Sequence, residues 1–202
     1  LEPNYSNKYP PIGLMKIATY HRNRGDWDIV FYKGDLKTFV IERIADKCIT
    51  DFIKIDDSID WITKKDLFIE SIRNRNRIND EKLELEKSNF QIILTGILND
   101  YKKYFRNGKW KQEPEWDRIF VTTLFTFYWD ITVETIEFAK WLVKDIKNLM
   151  VGGVLASIQP EELEKATGIK PFVGVLNTPG QLDEGDTQII DSLPLDYSIL
   201  DE

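Results

Sequence analysis

Two consecutive glycines, Gly152 and Gly153, follow a short apolar run and are the residues most suggestive of ligand binding. Because glycine lacks a Cβ atom, the backbone there can approach a flat ligand or a phosphate, and its N–H groups can form an anion-binding nest. A tight turn after a buried strand explains the same pair without a ligand. The sequence lacks Gly-x-Gly-x-x-Gly and Gly-x-x-x-x-Gly-Lys-Ser/Thr, so it indicates neither a dinucleotide fingerprint nor a phosphate-binding loop.

Two threonines, Thr122 and Thr123, end another apolar run and are followed by Leu124. Their hydroxyls could bind an amide or a phosphate of a ligand. Threonine is also a common strand residue whose hydroxyl bonds locally, which accounts for the pair without a ligand.

Side chains suited to catalysis are scarce: the chain has one histidine, His21, and one cysteine, Cys48. His21 is either a half-buried helix residue or a ligand, and no serine or cysteine nucleophile is placed to use it. Cys48 shares an apolar helix face with Val40 and Ile44, which favours a buried structural thiol. One Cys and one His exclude a zinc site or an iron–sulfur cluster built from this chain's Cys and His alone. We therefore assign no catalytic and no metal-ligating residue.

The first of three compositional blocks covers residues 1–35. Leu14, Ile17 and Ala18 are spaced as in a helix, which Pro11 can begin and Gly25 can end. The apolar run 27–32 predicts a strand. Residues 36–115 differ, because they are highly charged, contain no proline before position 114 and repeat apolar residues every three or four positions. They predict a helical insertion of three helices, around residues 40–52, 67–72 and 90–105.

The third block, residues 116–180, returns to short alternating elements. Continuous apolar runs predict buried strands at 119–121, 149–151 and 172–175. Helices separate these strands, one capped by Thr132 and another that runs from Pro160 to Gly168. Residues 181–202 are acidic and aperiodic, and we interpret them as a linker.

Alternation of strands and helices predicts an α/β fold with a parallel sheet of four or five strands. Ligands of such sheets bind beyond the carboxyl ends of the strands. Four loops should meet at that rim: 4–13, 122–130, 152–157 and 174–178. There we expect Gly153→Leu to abolish ligand binding and to leave the fold intact. In a module without a cofactor the same change would matter little, provided that position 153 does not need positive φ.

Composition narrows the possible partners and compartments. The net charge of −7 and a pI near 5.0 disfavour nucleic-acid binding, which relies on Lys and Arg. No apolar run reaches the length of a membrane-spanning helix, so we expect no membrane partner. A lone cysteine is typical of a reducing compartment, and we expect a cytoplasmic protein.

Several motifs, in this order, resemble one family. Pro10-Pro11-Ile12-Gly13-Leu14 precedes a helix that ends Arg24-Gly25, and Asp117-Arg118-Ile119-Phe120-Val121-Thr122-Thr123-Leu124 follows the helical insertion. Gly152-Gly153 then precedes Ala156-Ser157 and Pro160-Glu161-Glu162, and Asp191-Ser192-Leu193-Pro194-Leu195-Asp196-Tyr197 lies near the end. Together they resemble the N-terminal cobalamin-binding-like domain of radical S-adenosylmethionine (radical SAM) enzymes. The resemblance does not extend to the helical insertion.

This resemblance implies a flavodoxin-like or Rossmann-like sheet with helices on both faces and cobalamin on the rim. The cofactor-binding residues that it implies are Pro11, Gly13, Thr122, Thr123, Leu124, Gly152, Gly153, Ser157 and Gly174. It also implies a downstream radical SAM barrel that holds a [4Fe–4S] cluster and S-adenosylmethionine on Cys-x-x-x-Cys-x-x-Cys. This chain lacks that motif, so we expect it to be inactive alone and free of iron. It also lacks Asp-x-His-x-x-Gly, so no histidine of that motif would ligate cobalt.

Two other interpretations stay open. The domain could be a cofactor-free module that supports structure or positions substrate in the same enzyme, with the helical insertion making the contacts. It could also be a free-standing protein-interaction or signalling domain. A phosphate-accepting receiver is disfavoured, because the run 119–121 ends in Thr122-Thr123-Leu124 and offers no acceptor aspartate there.

Overall fold

A computed structural model of the chain describes residues 1–6, 9–25, 28–74 and 80–200. The chain forms two compact units. The α/β unit comprises Leu1–Asp35 with Glu115–Glu202, and the helical unit comprises Leu36–Pro114. The candidate ligand-binding residues all belong to the α/β unit, and its sheet positions most of them.

Two parallel strands form the sheet of the α/β unit, β1 (Ile119–Thr123) and β2 (Leu149–Gly153). Ile119 lies opposite Leu149, and Thr123 lies opposite Gly153. The sequence predictions of strands at 119–121 and 149–151 are confirmed, and each strand continues for two residues beyond its apolar run. The α/β class with a parallel sheet is therefore established.

Neighbouring segments touch this sheet without forming strands, so the predicted strand count was too high. On one side, Leu1 accepts a hydrogen bond from the Thr122 N–H (3.0 Å), and the Glu2 N–H donates to the Tyr32 carbonyl (3.0 Å). Residues 28–32 are not a strand, and a single parallel bridge joins Glu2 to Lys33. Trp27, which began the predicted strand, lies outside the described residues.

On the other side of the sheet, the Phe172 N–H donates to the Val151 carbonyl (2.7 Å). The predicted strand 172–175 is nevertheless absent. Pro171 has no N–H to donate, and Gly174 has φ +88°, so the extended geometry lasts too briefly for a ladder. One backbone hydrogen bond therefore joins Phe172 to β2, where the sequence predicted two paired strands.

Four helices complete the described part of the α/β unit: α1 (Ile12–Asn23), α5 (Trp129–Ala139), α6 (Val154–Ile158) and α7 (Pro160–Thr167). Proline opens α7 and Gly168, at φ +65°, ends it, as predicted. Thr132 was predicted to cap a helix, and that prediction was wrong. It lies inside α5, fully buried, and its hydroxyl donates to the Tyr128 carbonyl (2.8 Å), because the preceding 3₁₀ turn lets the helix begin earlier.

The segment 181–200, interpreted from sequence as a linker, packs along α1. Ile199 is buried in a cluster with Leu14, Met15 and Ala18. The Thr19 hydroxyl donates to the Pro194 carbonyl (2.8 Å). Two ion pairs, Lys16–Asp191 (2.7 Å) and Arg22–Asp196 (2.5 Å), reinforce the contact. The pairs form because oppositely charged side chains on the two segments are spaced to meet. The tail itself has no regular apolar spacing that would predict this contact.

The helical unit contains α2 (Leu36–Ile55), α3 (Lys65–Arg73) and α4 (Gln91–Arg106), which confirms the three predicted helices. Phe52, Trp61 and Phe68 form its aromatic core, with edge-to-face rings whose centroids are 4.9–6.3 Å apart. Cys48 is fully buried, and burial raises the pKa of its thiol, as suits a structural residue. Across the described ranges, no helix is both long and apolar enough to cross a membrane.

Candidate functional site

Gly153 lies opposite Thr123 at the end of the strand pair. Its φ is +108°, and a Cβ atom there would overlap the Thr123 carbonyl oxygen and lie 2.8 Å from the Thr123 amide nitrogen. The neighbouring strand therefore demands glycine, whether or not a ligand is bound. The expectation that Gly153→Leu would leave the fold intact was wrong. At Gly152, by contrast, a Cβ atom would make only ordinary contacts, 3.9 Å from Phe172.

Two hydroxyls at the end of the sheet are used inside the protein. Thr123 is 1% exposed, donates to the Gly152 carbonyl (2.9 Å) and accepts from the Ala156 N–H (3.0 Å). Ser157 donates to the Gly153 carbonyl (2.8 Å) and accepts from the Gly174 N–H (2.9 Å). These bonds tie β1, β2, α6 and the segment after Phe172 into one rim. The hydroxyls thus build the rim and are already engaged within the protein.

The remaining predicted residues divide into two groups. Thr122 lies opposite Gly152 and is half-buried, and the Leu124 N–H donates to the Tyr5 hydroxyl (3.4 Å). Both therefore lie at the rim. Pro11 accepts from the Met15 N–H (3.0 Å) at the start of α1, and the space beside Gly13 is open. No described contact brings Pro11 or Gly13 to the other predicted residues.

Exposed apolar side chains surround the carboxyl ends of the strands. We call this set the apolar rim: Phe125 and Phe127 after β1, Val154 and Ile158 in α6, and Val173 and Val175 after Phe172. Phe127 is 73% exposed and Ile158 is 61% exposed. A concentration of exposed apolar groups at one edge of a sheet is typical of a binding surface. The strand-end rule predicted these loops but not their exposed side chains, because the local sequence does not distinguish an exposed ring from a buried one.

Stacked rings extend inward from this rim. Phe125 stacks on Phe127 (centroids 5.4 Å apart), Phe127 contacts Tyr128 (4.4 Å), and Tyr128 stacks on Tyr5 (4.5 Å). We call these four rings the aromatic ladder. Burial raises the pKa of Tyr5, whose hydroxyl shares a hydrogen bond with Thr132 (2.5 Å). The ladder therefore joins a neutral, anchored tyrosine to an exposed phenylalanine.

His21 belongs to the opposite edge of the sheet. Its ring lies 5.4 Å from that of Phe120 and 5.3 Å from that of Tyr20. Tyr20, in the same stretch of α1, and Arg118, directly before β1, both bind Asp183. Because this end of α1 meets the amino end of β1, His21 lies away from the carboxyl-end rim.

Two arginines and two aspartates meet in a cluster around Asp183. Arg118 binds both carboxylate oxygens of Asp183, and the Tyr20 hydroxyl shares its one proton between Asp183 and Asp186 (2.8 Å each). Chiefly through its hydrogen bonds to Arg118, the pKa of Asp183 falls to about 2. Arg24 also pairs with Asp186 (2.8 Å). Each charge has a partner here, so the cluster is suited to fastening the tail.

No group of three or more His, Cys, Asp or Glu among the described residues could hold a metal ion. Comparisons with known proteins add no relative: the chain matches no protein-family model, no curated protein and no solved structure.

Proposed function

We propose that the α/β unit is the flavodoxin-like, cobalamin-binding-like accessory domain of a radical SAM enzyme. In this proposal the unit holds cobalamin on the apolar rim and is not itself catalytic. The observation that carries the proposal is the concentration of exposed apolar side chains at the carboxyl ends of parallel strands, where open α/β sheets bind their ligands.

Backbone contacts on both sides of the sheet support the flavodoxin-like interpretation. The segment at Leu1–Glu2 lies between that at Tyr32–Lys33 and β1, while β2 lies between β1 and the segment at Phe172. Numbered along the chain, this gives the spatial order 2-1-3-4-5, which is that of flavodoxin-like sheets. Three of the five segments are too short to be strands here.

The apolar character of the rim fits the face of cobalamin. A corrin ring presents a broad and largely apolar face, for which Phe127, Val154, Ile158 and Val173 offer exposed apolar contact. Gly152 adds a position without a side chain. When bound, cobalamin supplies group-transfer or electron-transfer chemistry at its cobalt. This chain's contribution would be to bind and orient the macrocycle, without a histidine ligand from His21.

The complete enzyme would include a radical SAM barrel downstream in the same polypeptide. That barrel would hold the [4Fe–4S] cluster and S-adenosylmethionine, and the reaction would take place in the cytoplasm. The present chain would show no reaction with S-adenosylmethionine, since one cysteine cannot hold a cluster.

Titration with aquocobalamin, followed by visible absorbance, tests the proposal. We expect the wild-type chain to change the spectrum saturably and Ile158→Asp to weaken binding about tenfold or more, because it places a charge against an apolar ligand. Ile62→Asp is the matched control, because Ile62 is similarly exposed (65%) and belongs to the helical unit. An unchanged spectrum at millimolar cobalamin would count against the proposal, as would equal affinities of the two variants.

A second candidate function is a cofactor-free module that binds a protein surface. The internal use of the Thr123 and Ser157 hydroxyls favours it, because these groups are already engaged in forming the rim. In that case the apolar rim would pack against the catalytic domain. Ile158→Asp would then reduce the thermal stability of the full-length enzyme, and cobalamin would leave the wild-type spectrum unchanged.

A further inference from the structure

The aromatic ladder lies at the topological switch point of the sheet, where the strand order reverses. Tyr5 follows the segment at Leu1–Glu2, and Phe125 follows β1, the neighbour of that segment. The segment at Tyr32, which comes next along the chain after Leu1–Glu2, lies on one side of Leu1–Glu2, whereas β2, which comes next after β1, lies on the opposite side of β1. A crevice opens at such a reversal, and it is the preferred ligand site of open α/β sheets.

The ladder is held rigidly at its inner end. Tyr5 is 3% exposed, and its hydroxyl bonds Thr132 (2.5 Å) and accepts the Leu124 N–H (3.4 Å). Tyr128 stacks on Tyr5 and ends the 3₁₀ turn Thr126–Tyr128. At the outer end, Phe125 and Phe127 are nearly parallel, with 17° between their ring planes. Exposed rings that already pack on one another and on an anchored ring have less freedom to lose when a ligand binds.

The polar groups beside the ladder indicate which ligands it can take. Glu2 is 3% exposed and is paired with Lys33 (3.2 Å), so its charge is balanced within the protein. Nearby, Thr123 and Ser157 already use their hydroxyls. An anionic phosphate would therefore find these hydroxyls already engaged, whereas a flat uncharged ring would find aromatic rings.

We propose that the aromatic ladder is a stacking site for a planar, conjugated and uncharged ring system, with Phe127 as its main contact. The ring lies against the exposed outer end of the ladder, where Phe127 is 73% and Phe125 is 47% exposed, at the crevice between the first segment and β1. This inference deepens the proposed function, since it assigns the ligand to the same rim, and it moves the centre of the site from the glycine pair to the ladder.

Two probes test the stacking site separately from cobalamin binding. Riboflavin supplies a neutral planar ring whose fluorescence is quenched on stacking, and aquocobalamin supplies the macrocycle. We expect Phe127→Ala to weaken riboflavin binding about tenfold and Phe127→Tyr to retain it, since only the first removes the ring. Phe90→Ala is the control, because Phe90 is an exposed phenylalanine (43%) of the helical unit. FMN, which adds a phosphate to the same ring, should bind more weakly than riboflavin.

The outcomes separate this inference from the proposed function. Riboflavin binding that depends on Phe127, without any cobalamin binding, supports the stacking site and overturns the cobalamin proposal. Cobalamin binding that Phe127→Ala leaves unchanged overturns the stacking site alone. Absence of riboflavin binding at millimolar concentration, or tighter binding of FMN than of riboflavin, also overturns the stacking site.

Discussion

At the scale of single residues, Gly153 shows how a structural requirement can look like a functional one. A glycine pair after a strand suggests a backbone that approaches a ligand, and here the approaching group is the Thr123 backbone of the adjacent strand. The same reasoning applies to Thr123 and Ser157, whose hydroxyls bond backbone groups of the rim. These residues shape the candidate site without offering their polar atoms to it.

A stability measurement checks this account of Gly153. We expect Gly153→Ala to lower the free energy of unfolding by more than about 2 kcal/mol, because the added Cβ meets backbone atoms and φ is positive. Gly13→Ala, in the open first turn of α1, should instead be neutral or stabilising by up to about 1 kcal/mol. Urea unfolding followed by circular dichroism measures both. Equal effects of the two substitutions would contradict the proposed strand contact.

The sequence predicted the rim loops from the rule for parallel sheets, and it predicted the contacts within them poorly. Whether a threonine hydroxyl faces a ligand or a neighbouring carbonyl depends on register, and register arises only when β1 and β2 pair. The exposure of Phe127 could not be predicted either. Aromatic residues are usually buried, and nothing local distinguishes a buried ring from one at a rim.

At the scale of elements, the tail 181–200 differs most from its sequence prediction. It has no hydrophobic period because its contacts are isolated from one another, and only Ile190 and Ile199 among its apolar residues are buried. Its aspartates form the other contacts: Asp191 and Asp196 pair with Lys16 and Arg22 of α1, and Asp183 pairs with Arg118. Such a segment resembles a linker in composition. Its attachment depends on side chains far away in sequence, which local patterns do not reveal.

The Arg118–Asp183 contact should make the attachment of the tail sensitive to acid. The pKa of Asp183 is about 2 in the folded protein, below its ordinary value of 3.8, so the folded state binds the proton more weakly than the unfolded state. The resulting stabilisation is complete above about pH 5 and is lost as the pH falls toward 2. Because both side chains are partly exposed, we expect it to be about 1–2 kcal/mol.

Urea unfolding of wild type and Arg118→Gln between pH 5 and pH 2 measures the contribution of the Arg118–Asp183 contact to the free energy of unfolding. The wild-type advantage should be largest at pH 5 and should shrink toward zero near pH 2. Lys144→Gln is the control, because its pair with Asp117 is exposed and should contribute less than about 0.5 kcal/mol at any pH. A difference between wild type and Arg118→Gln that does not vary with pH would show that Asp183 is not the titrating group.

At the scale of the whole molecule, helices were easier to predict than the sheet. The apolar period of α2 and α4 is local, and each helix makes its own backbone hydrogen bonds. The edges of the sheet depend instead on one or two hydrogen bonds between distant segments, such as those of Leu1 with Phe120 and Thr122 and that of Phe172 with Val151. A short apolar run cannot show whether it will form one such bond or a ladder.

The compactness of the helical unit leads to a prediction about independent folding. Phe52, Trp61 and Phe68 are fully buried within residues 36–114, and the Trp61 indole N–H donates to the Asp56 carbonyl (2.7 Å). This core resides wholly in the helical unit, so we expect a fragment of residues 36–114 to fold alone. It should give a helical far-ultraviolet circular dichroism spectrum and a near-ultraviolet signal from the fixed Trp61 ring.

Substitution of the aromatic core distinguishes a folded fragment from a merely helical one. Phe68→Ala removes a ring that contacts both Phe52 and Trp61, and we expect a cost of about 3–5 kcal/mol, enough to unfold an isolated unit of this size. Ile92→Ala, at a residue that is 89% exposed, should change stability by no more than about 0.5 kcal/mol. If both fragments keep the same near-ultraviolet signal, or if the unmodified fragment gives none, the aromatic core does not fold this unit independently.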